Sequence, residues 1–201
     1  MGRVEALPYI AGMTEQSFTL FDTALGPCGI VWTARGIAGV QLPEKDDAAA
    51  RKRMAKRHPQ AREGAPPDNV QGVIDRIVAL LRGEAADFSD VVIDDDGVPD
   101  FERKVHAIAR TIPLGQTMTY GAIAERLGDR LLARDVGHAL GHNRTPLIVP
   151  CHRVLAAGGK SGGFSATGGV VTKLRLLSIE GAQPAGPTLF EHLPLAARPN
   201  R

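Results

Sequence analysis

The pattern of apolar and polar residues predicts a strand-rich first half. Apolar and aromatic residues over 17–22 predict a strand, and β-rich runs on either side of residues 34–36 predict a hairpin over 28–42. We expect Trp32 to pack in the core of this sheet. A charged, alanine-rich stretch predicts a helix over 44–57, which His58-Pro59 ends.

A polar, proline-rich linker is predicted at 59–68, and Asp68 is placed to cap the amphipathic helix that follows it. Residues 87–96 contain a strand-like Val-Val-Ile and the acidic run 94–96. We interpret that run as a solvated turn, because consecutive acids on a loop rarely converge on one metal ion.

Helical spacing dominates the second half. Helices are predicted over 101–112, 120–127 and 131–143, with Thr119 as a cap and Gly128 supplying the positive φ of a helix end. Two short helices joined by a glycine-containing turn favour a helix-turn-helix, although many such pairs only pack together.

Residues 145–155 hold most of the reactive chemistry. The apolar run 147–149 predicts a buried strand that Pro150 ends, which places Cys151 and His152 on a turn. A thiol is nucleophilic only as thiolate, and imidazole is able to accept its proton near neutral pH. An inert buried thiol beside an incidental histidine is the alternative.

The glycine-rich segment 156–169 is predicted to form a flexible pocket wall, followed by a helix over 171–180 that stops at Gly181. Glu180 lies in the last turn, where the helix dipole disfavours negative charge, so a cationic partner would explain it better than an exposed position. The tail, rich in Pro and Ala, is expected to be loosely ordered.

Composition narrows the class of protein. With 43% hydrophobic and 23% charged residues the chain is typical of soluble globular proteins, and no apolar run or export signal indicates a membrane or secreted protein. We therefore expect a cytoplasmic protein whose two cysteines, Cys28 and Cys151, stay reduced. His138 and His142 share a predicted helix face but lack a third ligand, so no metal is expected.

Charge is unevenly distributed along the chain. Residues 99–181 carry 11 Lys and Arg against 6 Asp and Glu, a net +5, whereas residues 1–98 carry 11 against 15, a net −4. The second half is therefore the part suited to phosphates.

Two motifs carry a family resemblance. Pro150-Cys151-His152-Arg153-Val154 resembles the active-site motif of the O6-alkylguanine-DNA alkyltransferases, the methylated-DNA–protein-cysteine methyltransferases, and residues 134–137 (Arg-Asp-Val-Gly) resemble that family's Arg-Ala-Val-Gly. The resemblance implies an α+β fold. It comprises a small N-terminal α/β domain with a ribonuclease H-like sheet at 1–98, a mainly α catalytic domain with a helix-turn-helix at 99–182, and a tail at 183–201.

The resemblance also implies residue roles. Cys151, His152 and Glu180 would form the catalytic unit, with a water between sulfur and imidazole, and Tyr120 would lie near the flipped base and donate a proton to it. Arg134 would take the place of the everted guanine. Asn143 and the backbone near Val154 would recognise the base edge. The other expected DNA or substrate contacts are Ala133, Gly137, Phe164 and Ser165.

The implied function is stoichiometric transfer of an alkyl group from O6-alkylguanine, and from O4-alkylthymine, in double-stranded DNA to Cys151. No cofactor is expected, and the protein would act as a monomer in the minor groove with the base flipped. The alternatives are an alkylated-DNA-binding or helix-turn-helix regulatory protein with weak or no transfer, and a Cys-His hydrolase, for which an oxyanion-hole signature is lacking.

The chain departs from the family pattern at three positions. Asp135 replaces an alanine and places a carboxylate near phosphates. Arg144 replaces a proline, and we expect its charge to offset that of Asp135. Phe164 replaces a tyrosine, which keeps an apolar wall and loses a hydroxyl.

Overall fold

The computed structural model describes residues 15–182, and its first half contains a four-stranded sheet with two helices. The elements in chain order are β1 (Ser17–Phe21), β2 (Cys28–Thr33), β3 (Gly36–Gln41), α1 (Asp47–Arg57), β4 (Arg62–Glu63) and α2 (Asp68–Leu81). The predicted strand and hairpin are confirmed, and Trp32 lies in the core.

The strands lie in the order β3-β2-β1-β4. The first three form an antiparallel meander, in which Phe21 pairs with Cys28 and Ile30 pairs with Val40. β4 runs parallel to β1 at the sheet edge, and α1 connects it to β3 at the opposite edge. Because β4 lies inside the segment predicted as a linker, that prediction was wrong for these two residues.

The helix starts differ from those expected. Asp46 caps α1, since its Oδ1 accepts a hydrogen bond from the Ala49 amide at 2.7 Å, and the helix therefore begins three residues later than predicted. The prediction that Asp68 caps α2 was wrong. Asp68 is the first helical residue and Pro67 holds the cap position, so the carboxylate lies in the first turn, where the dipole favours it.

The second half is mainly helical. Its elements are α3 (Asp100–Arg110), β5 (Met118–Thr119), α4 (Tyr120–Arg126), α5 (Ala133–Gly141), β6 (Val154–Leu155) and α6 (Gly169–Ile179). Thr119 caps α4 as predicted, because its Oγ1 accepts from the Ala122 amide at 3.0 Å, and Gly128 has a φ of 99°. The predicted helix over 131–143 is divided into a 3-10 turn, Arg130–Leu132, and α5. No helix within 15–182 is long and apolar enough to cross a membrane.

Two apolar cores meet at the segment before Cys151. The first core joins the sheet to α2 and includes Leu147 and Ile148, and the second joins α3, α4 and α5 and includes Val149 and Cys151. The turn that bears the thiol is thus anchored in both cores. The division of the chain into domains at residue 98 stays a prediction, and the tail at 183–201 lies outside the described residues.

The predicted strand over 147–149 was wrong. All three residues are buried, but Leu147 has a φ of 74°, which breaks an extended conformation, and the segment makes only an isolated bridge between Pro146 and Val149. A left-handed non-glycine residue costs about 1 kcal/mol. The apolar run reflects burial of a bend between two cores and not strand pairing.

The acidic run was also only partly predicted. Asp94 is buried and accepts hydrogen bonds from Thr33 Oγ1 at 2.6 Å and Arg35 Nε at 3.1 Å, whereas the neighbouring Asp96 is exposed and pairs with the same guanidinium. The solvated-turn interpretation therefore fails for Asp94. Its backbone N–H bonds the Ile37 carbonyl, which attaches this segment to β3.

Candidate active site

Cys151 begins a 3-10 turn, Cys151–Arg153, directly after the bend between the two cores. Its side chain is buried, and burial raises the pKa of the thiol. The Asn143 side chain, the charge of Lys173 and the local backbone N–H groups act in the opposite direction. The resting sulfur is therefore a protonated thiol, and ionisation requires a proton acceptor.

His152 and Glu180 form a buried pair. The distance from His152 Nε2 to Glu180 Oε1 is 2.8 Å, and the two side chains are 0% and 1% exposed. Burial raises the pKa of Glu180, but hydrogen bonds from His152 and Arg153 outweigh it and hold the pKa at about 2. Glu180 is thus a carboxylate, which only accepts hydrogen bonds, so Nε2 carries the hydrogen and donates it.

The same geometry fixes the protonation state of His152. Burial lowers its pKa from 6.5, and the opposing effect of Glu180 does not restore it. Glu180 favours the protonated form of His152, but burial has the larger effect, so the resting ring is neutral. A neutral ring with hydrogen on Nε2 leaves Nδ1 as an acceptor, and Nδ1 is buried without a hydrogen-bond partner among residues 15–182.

Arg153 is the cationic partner that the position of Glu180 called for. Its Nε and Nη2 donate to the two carboxylate oxygens at 2.8 and 2.9 Å, and its Nη1 donates to the Ile112 carbonyl at 2.7 Å. The alternative of an exposed surface glutamate was wrong. The sequence analysis included Arg153 in the motif but assigned it no role.

Lys173 is a second cation that sequence reasoning missed. It is fully buried, its Nζ donates to the Val154 carbonyl at 2.6 Å, and the Tyr120 hydroxyl lies 3.4 Å away. Burial lowers its pKa to about 8, and Cys151 acts in the opposite direction. The available signal was that Lys173 shares the inward face of α6 with Leu176 and Leu177.

Tyr120 opens α4 beside these groups. Burial raises the pKa of its phenol, and Cys151 raises it further, so the hydroxyl stays protonated at neutral pH. The glycine-rich segment approaches its ring closely: a Cβ at Gly162, where φ is 67°, would lie 2.9 Å from it. Tyr120, Lys173 and Cys151 thus form one cluster of ionisable groups under this segment.

Comparisons with known proteins show the family to which the chain belongs. Residues 100–182 match the family model of the 6-O-methylguanine DNA methyltransferase DNA-binding domain. A methylated-DNA–protein-cysteine methyltransferase of Mycobacterium bovis is 43% identical over 126 residues, which cover 62% of this chain and 74% of that protein. One from Methanothermobacter thermautotrophicus is 34% identical over 158 residues, 79% of this chain and 81% of that protein. The chain belongs to the methylated-DNA–protein-cysteine methyltransferase family.

Solved structures of family members show the same mixed α+β fold. The Mycobacterium tuberculosis OGT solved in complex with DNA has a TM-score of 0.67 and 33% identity, with 82% of this chain and 92% of that chain covered. The O6-methylguanine-DNA methyltransferase of Pyrococcus kodakaraensis has a TM-score of 0.62 and 27% identity, with 83% and 99% covered. The predicted α+β class is confirmed.

In this alkyltransferase family member, Asn143 supports the active-site turn. Its Nδ2 donates to the Val149 carbonyl at 2.9 Å, and its Oδ1 accepts from the Thr145 amide at 2.9 Å. Both ends of the amide are engaged with the loop, and the Val154 carbonyl is engaged with Lys173. The expected contacts of Asn143 and of the backbone near Val154 with a base edge stay predictions.

The α5 helix presents its first turn to solvent. Arg134 and Asp135 are exposed, and no hydrogen bond or ion pair within the described part of the chain engages Arg134. Ala133 is half-buried, and a Cβ at Gly137 would lie 3.9 Å from the Tyr120 ring. The side of α5 that carries these small residues therefore lies beside the site.

The remaining expected site residues lie in the pocket wall and at the far end of α5. Phe164 packs against both cores, and Ser165 Oγ donates to the Gly141 carbonyl at 3.2 Å. Arg144 Nη1 donates to the Asp96 carbonyl at 3.2 Å. The expectation that Arg144 offsets Asp135 was wrong, because the guanidinium is directed to the acidic segment before α3.

Proposed function

We propose that this protein repairs DNA by transferring an alkyl group from O6-alkylguanine, and from O4-alkylthymine, to Cys151. The observation that carries the proposal is the buried His152–Glu180 pair directly after Cys151, with the acceptor nitrogen of the imidazole left without a protein partner in residues 15–182. Family membership supports it, since the relatives are named for transfer to a protein cysteine.

Ionisation of the sulfur is the first step. His152 Nδ1 accepts the thiol proton through one water, and Glu180 stabilises the imidazolium that results through the 2.8 Å hydrogen bond to Nε2. The positive charge of Lys173 lowers the cost of the thiolate, and Asn143 acts in the same direction. His152 thus accepts the proton, and Lys173 and Asn143 stabilise the thiolate of a cysteine whose pKa is raised by burial.

Transfer then proceeds by displacement. A bond forms between sulfur and the alkyl carbon as the bond from that carbon to guanine oxygen breaks, and the electron pair passes into the guanine ring. Tyr120, protonated at neutral pH, donates a proton to the leaving base. The thioether has no leaving group that water displaces readily, so each protein molecule acts once.

DNA contacts fall to the second half of the chain. We infer that α4 and α5 act as a helix-turn-helix, and that its small residues Ala133 and Gly137 approach the minor groove. The exposed Arg134 fills the gap left by the flipped base. Flipping costs a few kcal/mol, which phosphate contacts of this basic half supply. The protein works as a monomer, and we place it in the cytoplasm with access to chromosomal DNA.

The sheet of the first half supports a ribonuclease H-like arrangement for residues 1–98. Its order, an antiparallel three-stranded meander with a fourth strand parallel to β1 after a crossover helix, is the basis of this inference. Residues 99–182 form the catalytic domain in this proposal.

Transfer of a labelled methyl group from O6-methylguanine DNA to the protein tests the function. We expect one equivalent of label on the wild type and on Cys28→Ala, since burial raises the pKa of Cys28 to about 12, and none on Cys151→Ala. Label on Cys151→Ala, or transfer with many turnovers, would refute the proposal. Tight DNA binding without transfer by the wild type would support the binding-only alternative.

A further inference from the structure

A polar cluster from both halves of the chain closes one side of the cavity at Cys151. Arg53 on α1 donates through Nη1 to Thr167 Oγ1 at 2.6 Å and pairs with Glu44 Oε1 at 3.2 Å. Thr167 Oγ1 in turn donates to Glu44 Oε1 at 2.6 Å. We call these three residues the clasp, because they connect the first half of the chain to the glycine-rich segment.

The clasp acts on a segment that is also held by the packing of Phe164 against both cores and by two further side-chain hydrogen bonds. Ser165 Oγ bonds the end of α5, and Thr172 Oγ1 on α6 donates to the Thr167 carbonyl at 2.5 Å. Between these points Gly168 has a φ of 82°, and glycine gives the backbone freedom to move. Fixing Thr167 from α1 therefore sets how far residues 164–167 stand from Cys151.

The cavity beside the clasp is partly open to solvent and small. It has a volume of about 30 Å³. A water-sized group needs about 10–15 Å³ on this measure, so the space holds two or three such groups, which suits a methyl carbon better than a benzyl ring. Besides Cys151 and the clasp, its lining includes Leu140, Pro146 and Phe164.

We propose that the clasp restricts transfer to small alkyl groups by holding residues 164–167 against the cavity. This inference rests on the proposed function, since it concerns the alkyl carbon that the sulfur attacks. The bonds formed and broken are the same for every alkyl group, and the leaving guanine takes the same proton. A methyl and a benzyl substrate differ only in the space that the alkyl group needs beside Cys151.

The test compares rates of transfer to the full chain from matched duplexes that contain O6-methylguanine or O6-benzylguanine. The variants are Thr167→Val, which keeps the shape and removes the hydroxyl, and Arg53→Ala. The control is Lys52→Ala, an exposed cation on the same helix that does not line the cavity. Thermal unfolding of each variant shows whether it is folded.

We expect the wild type to prefer methyl over benzyl, and both clasp variants to reduce that preference by about tenfold or more through a faster benzyl reaction. Lys52→Ala should keep the wild-type preference. An unchanged preference in the two folded clasp variants, or equal rates on both substrates in the wild type, overturns the clasp alone. Transfer from neither substrate to the wild type overturns the proposed function, and the clasp with it.

Discussion

Replacing Glu180 by glutamine should remove a large, pH-dependent part of the stability of the fold. The carboxylate accepts hydrogen bonds from His152 Nε2 and from Arg153 Nε and Nη2, at 2.8 to 2.9 Å. Glutamine offers one neutral oxygen in place of two charged ones, so the buried guanidinium of Arg153 loses its counter-charge. Breaking a buried pair on one side typically costs about 3–5 kcal/mol.

The pKa gives a second route to the magnitude. The pKa of Glu180 falls from the ordinary 4.5 to about 2 in the fold. At about 1.36 kcal/mol per unit, this difference stabilises the fold by about 3 kcal/mol at neutral pH. Since the folded pKa is depressed, the stabilisation is complete above pH 4.5 and is lost as the pH falls towards 2. About half of it remains at pH 3.

Urea unfolding of the wild type and of Glu180→Gln over this pH range checks both numbers. We expect a gap in the free energy of unfolding of about 3 kcal/mol at pH 7, which narrows to about half at pH 3, because glutamine does not titrate. The difference between the two proteins cancels the titration of the other acids. A gap that stays constant from pH 7 to pH 3 would refute the reasoning, since it would show that Glu180 does not titrate in this window.

Three further predictions concern the reaction and the DNA. Arg134→Ala should slow repair of duplex DNA much more than reaction with the free modified base. Equal losses on both substrates would contradict the proposal that Arg134 fills the gap left by the flipped base. Lys173→Met should slow methyl transfer about tenfold or more at pH 7, because the thiolate loses a nearby positive charge. The deficit should shrink in a pH–rate profile above the Lys173 pKa of about 8, where the wild-type lysine is itself neutral, and a constant deficit would argue against the electrostatic role. Asp135→Ala should tighten DNA binding several-fold at low salt in fluorescence anisotropy by removing an exposed carboxylate beside the phosphates, an effect that must fade as salt increases.

The sequence predicted those parts of the fold that are determined by interactions between residues a few positions apart. The hairpin, the α4 cap at Thr119 and the glycine stop at 128 follow from turn and capping chemistry that acts within a few residues. The bend at Leu147 does not, because an apolar run looks the same whether it pairs as a strand or is buried between two cores. β4 is likewise set by its partner β1, which lies some 45 residues earlier in the chain.

The candidate site shows the same division. The family resemblance predicted Cys151, His152 and Glu180, and the structure brings the last two into contact, but Lys173, whose charge acts on the thiol, was not predicted. A lysine in α6 is ordinarily an exposed cation, and only the packing of that helix buries Lys173 against the Val154 carbonyl. The hydrogen bond from Asn143 to the backbone that holds the turn was likewise not predicted, because it joins residues whose spacing gives no regular pattern.

The buried charges near the sulfur are two cations and one carboxylate. With a neutral thiol and a neutral His152, the buried charges of Lys173, Arg153 and Glu180 give a net +1. Proton transfer from sulfur to imidazole leaves that sum unchanged, but it places a negative sulfur in a field with a positive surplus, which favours the thiolate. Alkylation then neutralises the sulfur and leaves the surplus facing the departing guanine anion. We infer that the Tyr120 hydroxyl passes a proton to that anion. Lys173 Nζ, 3.4 Å from this hydroxyl, then returns a proton to the tyrosine, because a pKa of about 8 makes it a stronger acid than an ordinary lysine.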